Sequence, residues 1–429
     1  MLPKSYCDNE GICMITRVTG TEDILDLRLQ SFFITTTKKH FEQFNFTHIQ
    51  TPILEYTQLF VHSLGEQTDV VSKEMYVFAQ DQEKPVCLRP EMTASTIRAC
   101  FENRVERLPW KVFSYGPVFR RERPQKGRLR QFHQFNVEVI GTQSIMYDAH
   151  VLKMLDTLFS KALHLENYVI KLNFLGCADD RRAHKAALLS FLENNIATIC
   201  ETCQKRKDTN TLRVFDCKNA ACQKLYTTAP FIIQHLCEGC TGEWQTLKDQ
   251  LQVLGINFII DNTLVRGLDY YQKTVFEITS NQLGSQSAFC GGGRYHLGKE
   301  VGATEDYSSF GVGIGFERVL MLLELIQDKL PLEMAPRLHV IIPMTPAQDT
   351  LGLLLAHELR RENLTSDIML DKASATNMMK KANKLGASWV LLIGENEQQS
   401  NTVMLKNMMT GKSTPVKQSD LIKVLKTGN

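Results

Sequence analysis

The sequence predicts an α+β fold in which an antiparallel sheet forms the main domain, a helical segment interrupts it, and a small α/β domain follows. First, the extended runs Trp110–Phe119 and Gln134–Ile140 follow one another with little helix between them, which is typical of antiparallel sheets. Second, residues 177–255 have a helical pattern and are polar and rich in cysteine. Third, the prolines that follow Leu330 precede strands that alternate with helices, as in small parallel or mixed sheets.

Strands of the main domain are predicted where apolar or β-branched residues run between turn residues. These runs are Thr47–Pro52, Trp110–Phe119, Gln134–Ile140, Tyr168–Asn173, Phe258–Asp261, Thr274–Thr279 and Phe310–Ile314. Helices are predicted where apolar residues recur three and four positions apart. They include Leu25–Phe44, Met92–Asn103, Ala149–Leu163 and the apolar run Val319–Ile326.

The segment after the prolines alternates between strand and helix patterns. In order, it predicts strand Leu338–Ile342, helix Ala347–Glu362, strand Ser366–Leu370, helix Ala375–Leu385, strands Trp389–Ile393 and Thr402–Asn407, and a last helix. These changes of pattern set the expected domain boundaries. The main domain takes residues 1–176 and 256–330, the insertion takes 177–255, and the C-terminal domain takes 336–429.

The composition is that of a folded globular protein and excludes a disordered or collagen-like chain. The 429 residues are 43% apolar and 22% charged, and their number predicts two to four domains. Lys and Arg exceed Asp and Glu by only 49 to 47. A nucleic-acid partner would therefore have to bind a local basic patch, since no global positive field attracts it.

Membrane and secretory segments are not expected. No uninterrupted apolar run approaches the roughly 20 residues that a membrane-spanning helix needs. The first fifteen residues contain Asp8 and Glu10 and lack the cationic start and apolar stretch of a secretory signal. We therefore expect a cytoplasmic location.

The densest polar segment runs from Phe119 to Gln131 and contains six Arg or Lys residues among thirteen. It lies between two predicted strands, and Pro124 and Gly127 at its centre indicate a flexible tip. Because the planar guanidinium group binds phosphate oxygens through two parallel hydrogen bonds, this basic arm is suited to phosphate. An exposed, solvated hairpin would explain the same composition.

Two further segments place carboxylates beside other polar groups. Side chains alternate along a strand, so Gln134, Asn136 and Glu138 are expected on one face of the sheet, where they could recognise a small zwitterion. An exposed polar face is the alternative. Glu91 and Thr93 precede a predicted helix, and capping of that helix by Thr93 would explain part of the segment without a ligand.

Three more motifs combine glycine with arginine or tyrosine. Leu264–Tyr271 brings Arg266 together with two tyrosines. Gly291–Tyr295 begins with three glycines, which implies that the backbone closely approaches another group. Gly311–Arg318 leads into an apolar helix, where Arg318 adds a cation to amide groups that already favour anions.

Taken in this order, the motifs resemble those of the histidyl-tRNA synthetases, a family of class II aminoacyl-tRNA synthetases, over essentially the whole chain. Motifs 1 to 3 of the class correspond to Thr51–Glu55, Phe119–Arg123 with Gln131–Phe135, and Gly313–Arg318. The segments Leu264–Tyr271 and Gly291–Tyr295 resemble the histidine-specific signatures. The resemblance implies an antiparallel class II catalytic domain with a helical insertion and a C-terminal α/β anticodon-binding domain.

The resemblance also implies a two-step reaction. L-histidine and ATP form histidyl-adenylate and pyrophosphate, and histidine then passes to the 3′-terminal adenosine of its tRNA with release of AMP. ATP would be bound by Arg120, Arg128 and Arg318. The catalytic residues would be Arg120, at the α-phosphate and the histidine carboxylate, and Arg266, across the α-phosphate where other class members use a metal ion. Mg²⁺ would accompany the outer phosphates of ATP, with ligands that the sequence does not identify.

The histidine pocket is implied by the same resemblance. Glu91, Thr93 and Gln134 would hold the amino group. Glu138 and Tyr271 would each meet one ring nitrogen of the imidazole, and Tyr270 and Tyr295 would shape the pocket. The histidine-binding set is then Glu91, Thr93, Arg120, Gln134, Glu138, Arg266, Tyr270 and Tyr271. Polar recognition of this kind can discriminate by roughly 10⁴–10⁵ without proofreading.

The implied macromolecular partners are a histidine tRNA and a second copy of the chain. The basic loop Arg121–Arg130 would contact the acceptor end of the tRNA. The C-terminal domain could face phosphates with Lys372, Lys380, Lys381 and Lys384, although a solvated helix surface explains these lysines as well. Motif 1 forms a dimer interface in this class, so a homodimer is expected.

Six of the twelve cysteines lie between residues 200 and 240. They form the pairs Cys200-x-x-Cys203, Cys217-x₄-Cys222 and Cys237-x-x-Cys240. Tetrahedral Zn²⁺ takes four thiolates from short turns, so the pattern is compatible with a structural zinc site. Buried thiols in a small helical module explain it equally well.

Two other kinds of protein share some of these features. A non-catalytic paralogue, such as the regulatory subunit of ATP phosphoribosyltransferase, typically lacks the Leu264–Tyr271 motif and the C-terminal domain, and both are present here. A zinc-dependent nucleic-acid-binding module would explain the cysteines and the basic loop, but not Glu91, Glu138 and Tyr271 together. The sequence therefore favours the enzyme.

Overall fold

The computed structural model describes residues 15–65, 68, 70–78, 83–266, 270–332 and 336–427. The chain divides into two compact units, residues 1–332 and 333–429. Every helix in the described ranges is too short or too polar to cross a lipid bilayer.

The first unit contains the following strands and helices. Its strands are β1 (Thr47–His48), β2 (Leu54–Tyr56), β3 (Tyr76–Phe78), β4 (Val86–Leu88), β5 (Trp110–Phe119), β6 (Gln131–Ile140), β7 (Val169–Phe174), β8 (Phe258–Ile260), β9 (Tyr271–Thr279), β10 (Ala288–His296) and β11 (Ser308–Gly315). Its α-helices are α1 (Arg28–Gln43), α2 (Thr57–Leu64), α3 (Thr93–Glu102), α4 (Met146–Thr157), α5 (Ala178–Asn194), α6 (Glu201–Thr209), α7 (Ala220–Tyr226), α8 (Glu238–Val253) and α9 (Phe316–Glu324). Short 3₁₀ or π turns lie at Val70–Glu74, Leu158–Ala162, Thr211–Asp216, Ile232–Gln234, Asn281–Gln286 and Gln327–Lys329.

One sheet of eight described strands organises the first unit, in the order β1-β5-β6-β11-β10-β9-β7-β8. Neighbouring strands from β5 to β7 are antiparallel, whereas the edge strands β1 and β8 run parallel to β5 and β7. The predicted antiparallel α+β fold is therefore confirmed. Strand β5 has the predicted bounds, whereas the predicted strand Thr47–Pro52 shortens to β1.

The sheet buries one face beneath α1, α4 and α9. Phe135, Val137 and Val139 of β6 all point to this core, because alternate side chains share a face, and none of them is exposed. Phe33 and Phe41 of α1 pack on Phe135 with ring centroids 5.6 and 6.0 Å away. Burial of each such ring contributes roughly 1.5–3 kcal/mol to stability.

Strand β10 is not among the predicted strands, because its three glycines have low strand propensity. Its register nevertheless continues between both neighbours, with Gly292 opposite Phe276 of β9 and Val312 of β11. A methyl group on Gly292 would collide with the backbone of Gly311. The close backbone approach expected from the glycine run is therefore present.

A second, small sheet in the first unit has the order β2-β4-β3 and was not expected from the sequence. Each of its strands is only three residues long, too short for an alternating pattern to stand out. Its surface exposes several large apolar side chains, with Leu54 at 56% and Tyr56 at 57%.

The segment predicted as a helical insertion contains α5 to α8 and has a small core of its own. Leu188, Leu192, Val214 and Tyr226 are buried in it. It begins after β7 and returns to the sheet at β8, which pairs in parallel with β7. The segment is therefore attached at one edge of the large sheet.

The second unit has the expected mixed α/β architecture. Its strands are β12 (Leu338–Pro343), β13 (Ser366–Ile368), β14 (Ala387–Ile393), β15 (Thr402–Asn407) and β16 (Ser413–Lys417). Its α-helices are α10 (Asp349–Arg361), α11 (Ala375–Lys384), α12 (Glu395–Gln399) and α13 (Leu421–Thr427), with 3₁₀ turns at Pro346–Gln348 and Gln418–Asp420. The sheet order is β13-β12-β14-β15-β16, parallel for the first three strands and antiparallel afterwards. Strand β16 was not predicted, because its residues are mostly exposed and polar.

A buried ion pair fixes the end of β10 to α4. Arg294 is 1% exposed and binds the carboxylate of Asp148, which is fully buried. The same guanidinium donates to the carbonyl oxygens of Thr142 and Ser144 and to the hydroxyl of Ser308. The Arg294 guanidinium and the Asp148 carboxylate both lie where no water can replace a lost partner.

We expect Asp148→Ala to lower the free energy of unfolding by about 3–5 kcal/mol, because it leaves a buried guanidinium without its counter-charge. Urea unfolding followed by circular dichroism measures the change. Asp179→Ala is the matched control, since it breaks an ion pair with Arg182 whose side chains are 75% and 80% exposed and should change stability by about 0–1 kcal/mol. Equal effects of the two substitutions would contradict the prediction.

Candidate active site

A cavity of about 350 Å³ opens on the large sheet at the ends of β6, β10 and β11. It brings together five predicted site residues from separate segments of the chain, namely Arg120, Arg128, Gln134, Arg266 and Arg318. The basic arm is therefore more than an exposed hairpin, because two of its arginines line a cavity in the sheet. Convergence of four guanidinium groups makes the cavity suited to a polyanion.

Arg318 lies at the start of α9 and is held in place by backbone oxygens. Its guanidinium donates to the carbonyls of Gly127, at 3.0 Å, and of Ala288. Burial lowers the pKa of Arg318, and the positive charges of Arg128 and Arg120 lower it further. Like charges crowded in this way are relieved by a bound anion.

Arg120 and Arg266 lie in the same cavity but have different partners. Arg120 donates to the carbonyl of Pro90 at 3.0 Å and lies over the ring of Phe132. Arg266 pairs with Glu277 at 2.7 Å, and its side chain is 21% exposed. Its buried Nε has no hydrogen-bond partner among the described residues. That nitrogen can therefore donate to a ligand.

The polar face predicted on β6 lies opposite glycines of β11. Gln134, Asn136 and Glu138 pair with Gly315, Gly313 and Gly311 in the antiparallel register. A methyl group on Gly311 would collide with the Glu138 carboxylate, and one on Gly313 would lie 2.6 Å from the Gln134 amide nitrogen. The glycines leave room beside these three side chains, so this face is a recess in the sheet and not an exposed polar surface.

Glu138 is fully buried in this recess. One carboxylate oxygen accepts a hydrogen bond from Asn136 at 2.9 Å, and the other accepts from the hydroxyl of Tyr295 at 2.5 Å. Burial raises the pKa of Glu138 to about 7 despite these hydrogen bonds. A ligand that offers an N–H or a positive charge would stabilise the ionised form.

Glu91 is also buried, and it caps helix α3. Its carboxylate accepts hydrogen bonds from the backbone N–H groups of Thr93, at 2.6 Å, and Ala94, at 2.9 Å. The suggestion that Thr93 caps the helix is therefore wrong, since Thr93 is its first residue and its hydroxyl donates to Asn136. Burial raises the pKa of Glu91, and the charge of Arg120 opposes that shift.

The tyrosines form a cluster beside this recess. Tyr271 of β9 pairs with Tyr295 of β10, and the Tyr270 ring lies 4.5 and 5.3 Å from theirs. Tyr271 also lines a neighbouring cavity together with Arg266. The remaining residues of the predicted motif, 267–269, lie outside the described part of the chain.

The predicted histidine set is thus divided between two places. Arg120, Gln134 and Arg266 line the large cavity. Glu91, Thr93, Glu138 and Tyr270 do not line it. Asn136 links Thr93 to Glu138 by hydrogen bonds, and the half-buried Tyr270 packs against Tyr271 and Tyr295. Gln134 shares a strand face with Glu138 and so connects the two places.

Three carboxylates that received no role from the sequence also line the cavity, namely Glu122, Glu277 and Glu317. Glu122 pairs with Arg128 at 2.6 Å, and Glu317 accepts a hydrogen bond from the backbone of His133 at 2.8 Å. Glu122 lies within motif 2 and Glu317 within motif 3, so the motifs could have identified both as site residues. Glu277 lies within a predicted strand that belongs to none of the motifs, so nothing in the sequence marked it as a site residue.

The cysteines of the insertion gather in two separate groups. Cys200, Cys203, Cys217 and Cys222 have sulfur atoms within 4.8 Å of one another. Cys237 and Cys240 instead lie with Cys177 and Asp180, again with all ligand atoms within 4.8 Å. The three cysteine pairs therefore do not meet at one point.

This antiparallel fold, with arginines from three segments around one cavity, defines a class II aminoacyl-tRNA synthetase. Residues 33–319 match the family described as histidyl-tRNA synthetase, and residues 339–428 match the anticodon binding domain. The chain belongs to the histidyl-tRNA synthetase family.

Individual relatives agree over nearly the full length. The histidine–tRNA ligase of Clostridioides difficile strain 630 is 38% identical over 387 residues, which cover 89% of this chain and 91% of that protein. The histidine–tRNA ligase of Solidesulfovibrio magneticus is 40% identical over 412 residues, covering 95% and 96%. The crystal structure of the apo S. aureus histidyl-tRNA synthetase superimposes with a TM-score of 0.78 at 30% identity, covering 96% of this chain and 100% of that one.

We expect the raised pKa of Glu138 to make the ligand-free protein less stable as the pH rises from about 4.5 to about 7. The folded state holds a proton in this window that the unfolded state has released, so about 3 kcal/mol of stability is present below pH 4.5 and is lost above pH 7. In Glu138→Gln that loss should disappear. Urea unfolding of both proteins across this pH range measures the difference.

Glu102→Gln is the control for this pH experiment, because Glu102 is a carboxylate whose side chain is 65% exposed. A Glu138→Gln profile that runs parallel to the wild-type profile, as the control should, would contradict the assignment.

Proposed function

We propose that this chain activates L-histidine with ATP to form histidyl-adenylate and transfers the histidine to the 3′-terminal adenosine of its tRNA. The observation that carries the proposal is the meeting of four guanidinium groups in one cavity beside a recess that holds the buried carboxylate of Glu138. The names of the two relatives, both histidine–tRNA ligases, agree with it.

The first step joins the histidine carboxylate to the α-phosphate of ATP. The attacking carboxylate is ionised at neutral pH, so the step needs no general base. It needs two reactants held in line and positive charge around the phosphorus. Arg120 is assigned to the α-phosphate and the histidine carboxylate, and Arg266 to the α-phosphate. The unpartnered Nε of Arg266 supports this role.

The outer phosphates of ATP are assigned to Arg128 and Arg318, which crowd each other in the same cavity. Glu122, Glu277 and Glu317 would hold Mg²⁺, since this hard cation prefers carboxylate oxygens and they lie beside these arginines. When bound, Mg²⁺ neutralises charge on those phosphates. All three carboxylates have basic or N–H partners that orient them in the cavity.

Recognition of histidine is assigned to the polar recess. Glu138 and Tyr271 would each meet one ring nitrogen, with Tyr270 and Tyr295 around them, and Asn136 and Tyr295 fix the Glu138 carboxylate. Glu91, Thr93 and Gln134 would hold the amino group. An amino acid without ring nitrogens would leave the buried Glu138 carboxylate without a hydrogen-bond donor from the substrate, which can give discrimination of roughly 10⁴–10⁵.

Recognition of tRNA would use both units. The loop Arg121–Arg130 is assigned to the acceptor end. In the second unit, Lys380 and Lys384 line an open surface depression of about 600 Å³ with Met379 and Met408, which suits a phosphate beside a base. Lys372 is less suited, because its ammonium group already pairs with Asp349.

The remaining assignments follow the same family. Residues 1–176 and 256–330 would be the catalytic domain, 177–255 the insertion and 336–429 the anticodon-binding domain. A homodimer through motif 1 is supported by the exposed apolar side chains of the small sheet, Leu54 and Tyr56 among them. Charging of tRNA for translation would place the protein in the cytoplasm.

We also propose that the insertion holds a structural Zn²⁺ at Cys200, Cys203, Cys217 and Cys222. Four cysteine sulfurs within 4.8 Å of one another are the ligand set that Zn²⁺ takes in closed tetrahedral sites. The backbone N–H of Cys200 donates to the sulfur of Cys222 at 3.2 Å, a contact that stabilises a thiolate.

We expect purified protein to exchange pyrophosphate into ATP only when L-histidine is present, and Arg266→Ala to lower kcat by about 10²–10³. The charge that Arg266 provides would be missing where negative charge develops on the phosphate. Radiolabelled ATP–pyrophosphate exchange measures the rate, and circular dichroism shows that the variant is folded.

Arg182→Ala is the control, since its side chain is 80% exposed and should leave the exchange rate unchanged. Absence of histidine-dependent exchange in the wild-type protein would overturn the proposed function and favour a non-catalytic paralogue. A normal rate in Arg266→Ala would overturn only the role given to that residue.

A further inference from the structure

The third cysteine pair of the insertion belongs to a group that the sequence pattern does not reveal. Cys237 and Cys240 meet Cys177 and Asp180, and the three sulfurs and one carboxylate oxygen lie within 4.8 Å of one another. We propose that this group, which we call the base cluster, is a second metal site that binds a thiophilic divalent cation of the Zn²⁺ type. It is separate from the four-cysteine site formed by Cys200, Cys203, Cys217 and Cys222.

Two helix starts bring the four side chains together. Cys177 is the N-cap of α5 and Asp180 is three residues on, while Cys237 is the N-cap of α8 and Cys240 is three residues on. Residues at these two positions lie side by side on the first turn of a helix. Each helix therefore offers a pair of ligands, and the partial positive charge at both N-termini favours anionic ones.

The contacts within the base cluster orient its atoms toward a common centre. The carboxylate of Asp180 accepts hydrogen bonds from the backbone N–H of Cys177, at 3.0 Å, and of Cys237, at 2.9 Å. The backbone N–H of Cys240 donates to the sulfur of Cys237 at 3.5 Å. Backbone donors of this kind surround the thiolates of structural metal sites and hold them in position.

Charge balance also favours a cation at this place. Asp180 is 3% exposed and Cys240 is 4% exposed. No Lys or Arg in the described part of the chain forms a salt bridge with Asp180. Buried charges in proteins are normally paired with an opposite charge or with a metal. The positive charge of Arg181 acts on Cys177, but the Asp180 carboxylate itself has no ionic partner among the described residues, and a divalent cation would supply one.

The ligand set decides the class of cation. Three sulfur ligands exclude Mg²⁺ and Ca²⁺, which take oxygen ligands almost alone. A set of three thiolates and one carboxylate oxygen suits Zn²⁺, which accepts both ligand types at about 2.0–2.3 Å.

The base cluster lies where the insertion joins the large sheet. The carbonyl of Gly176 accepts a hydrogen bond from the backbone of Lys273, and Arg181 of α5 donates to the carbonyl of Tyr271 at 3.0 Å. A metal that ties α5 to α8 would therefore fix the helix that supports Tyr271, whereas the four-cysteine site would stabilise only the distal part of the insertion.

Metal content tests the proposal without reference to activity. Purified wild-type protein, loaded with Zn²⁺ and passed through a desalting column, should retain two zinc ions per chain by inductively coupled plasma mass spectrometry. Cys240→Ser should retain one, and so should Cys203→Ser. Cys100→Ala removes a buried cysteine outside both groups and should retain two.

Cobalt spectroscopy tests the Asp180 ligand in a variant that keeps the site. In the Cys200→Ser/Cys203→Ser background only the base cluster should bind Co²⁺. Adding Asp180→Cys should then raise the thiolate-to-cobalt absorbance per metal by about one third, because four sulfurs replace three. An unchanged spectrum would overturn Asp180 as a ligand.

The stoichiometries also separate this inference from the zinc site proposed above. One zinc ion per wild-type chain that Cys203→Ser removes and Cys240→Ser keeps would overturn the base cluster and leave the four-cysteine site standing. One zinc ion per chain that Cys240→Ser removes and Cys203→Ser keeps would overturn the four-cysteine site and leave the base cluster standing. No retained zinc, with all cysteines titrating as free thiols after unfolding, would overturn both.

Discussion

The site depends on glycine residues in two neighbouring strands, β10 and β11, which leave part of the sheet surface free of side chains. Gly311, Gly313 and Gly315 of β11 stand opposite the polar side chains of β6, and Gly291 of β10 leaves space that Arg266 occupies. A sheet surface is ordinarily covered by side chains, whereas here a ligand can lie against bare backbone. Each glycine costs the strand about 0.5–1 kcal/mol, and burial of the opposite face against α1, α4 and α9 offsets that loss.

Two electrostatically unfavourable arrangements lie side by side on this part of the sheet. On one side, burial lowers the pKa of Arg318, and the crowding of neighbouring guanidinium groups lowers it further. On the other side, burial raises the pKa of Glu138 to about 7 and raises that of Glu91. A zwitterion beside a polyphosphate would relieve both, since each charged part of the substrates meets the opposite charge. The arrangement therefore favours substrates that place a positive charge near the carboxylates and negative charges near the guanidinium groups.

Much of the fold could be predicted from the sequence because the large elements have strong periodic patterns. Strand β5 and the polar face of β6 are examples, and the convergence of Arg120, Arg266 and Arg318 followed from the order of motifs. Local patterns failed where neighbours decide the structure. Strand β10 has three successive glycines at its centre and is a strand only because β9 and β11 pair with it on both sides.

The site shows the same limit at single residues. The sequence suggests Thr93 as a helix cap, but the buried Glu91 carboxylate instead accepts the hydrogen bonds from the free N–H groups of the first turn. The grouping of the cysteines could not be read from their spacing, because Cys177 lies outside the dense run and its partner Asp180 is not a cysteine. Which helix starts face each other is decided by packing over long sequence distances.

The path of the chain around the insertion has a further consequence. Strands β7 and β8 are parallel neighbours at the edge of the sheet, and parallel neighbours always need a crossover connection. Residues 175–257 are that connection, so the helical module cannot be deleted outright without losing the pairing of β8. Its distal part can still vary in size and sequence, whereas α8 buries Trp244, Leu247 and Leu251 in the core of the large sheet. The distal part of the insertion can therefore change in length and sequence during evolution while the sheet surface that carries the active site keeps its shape.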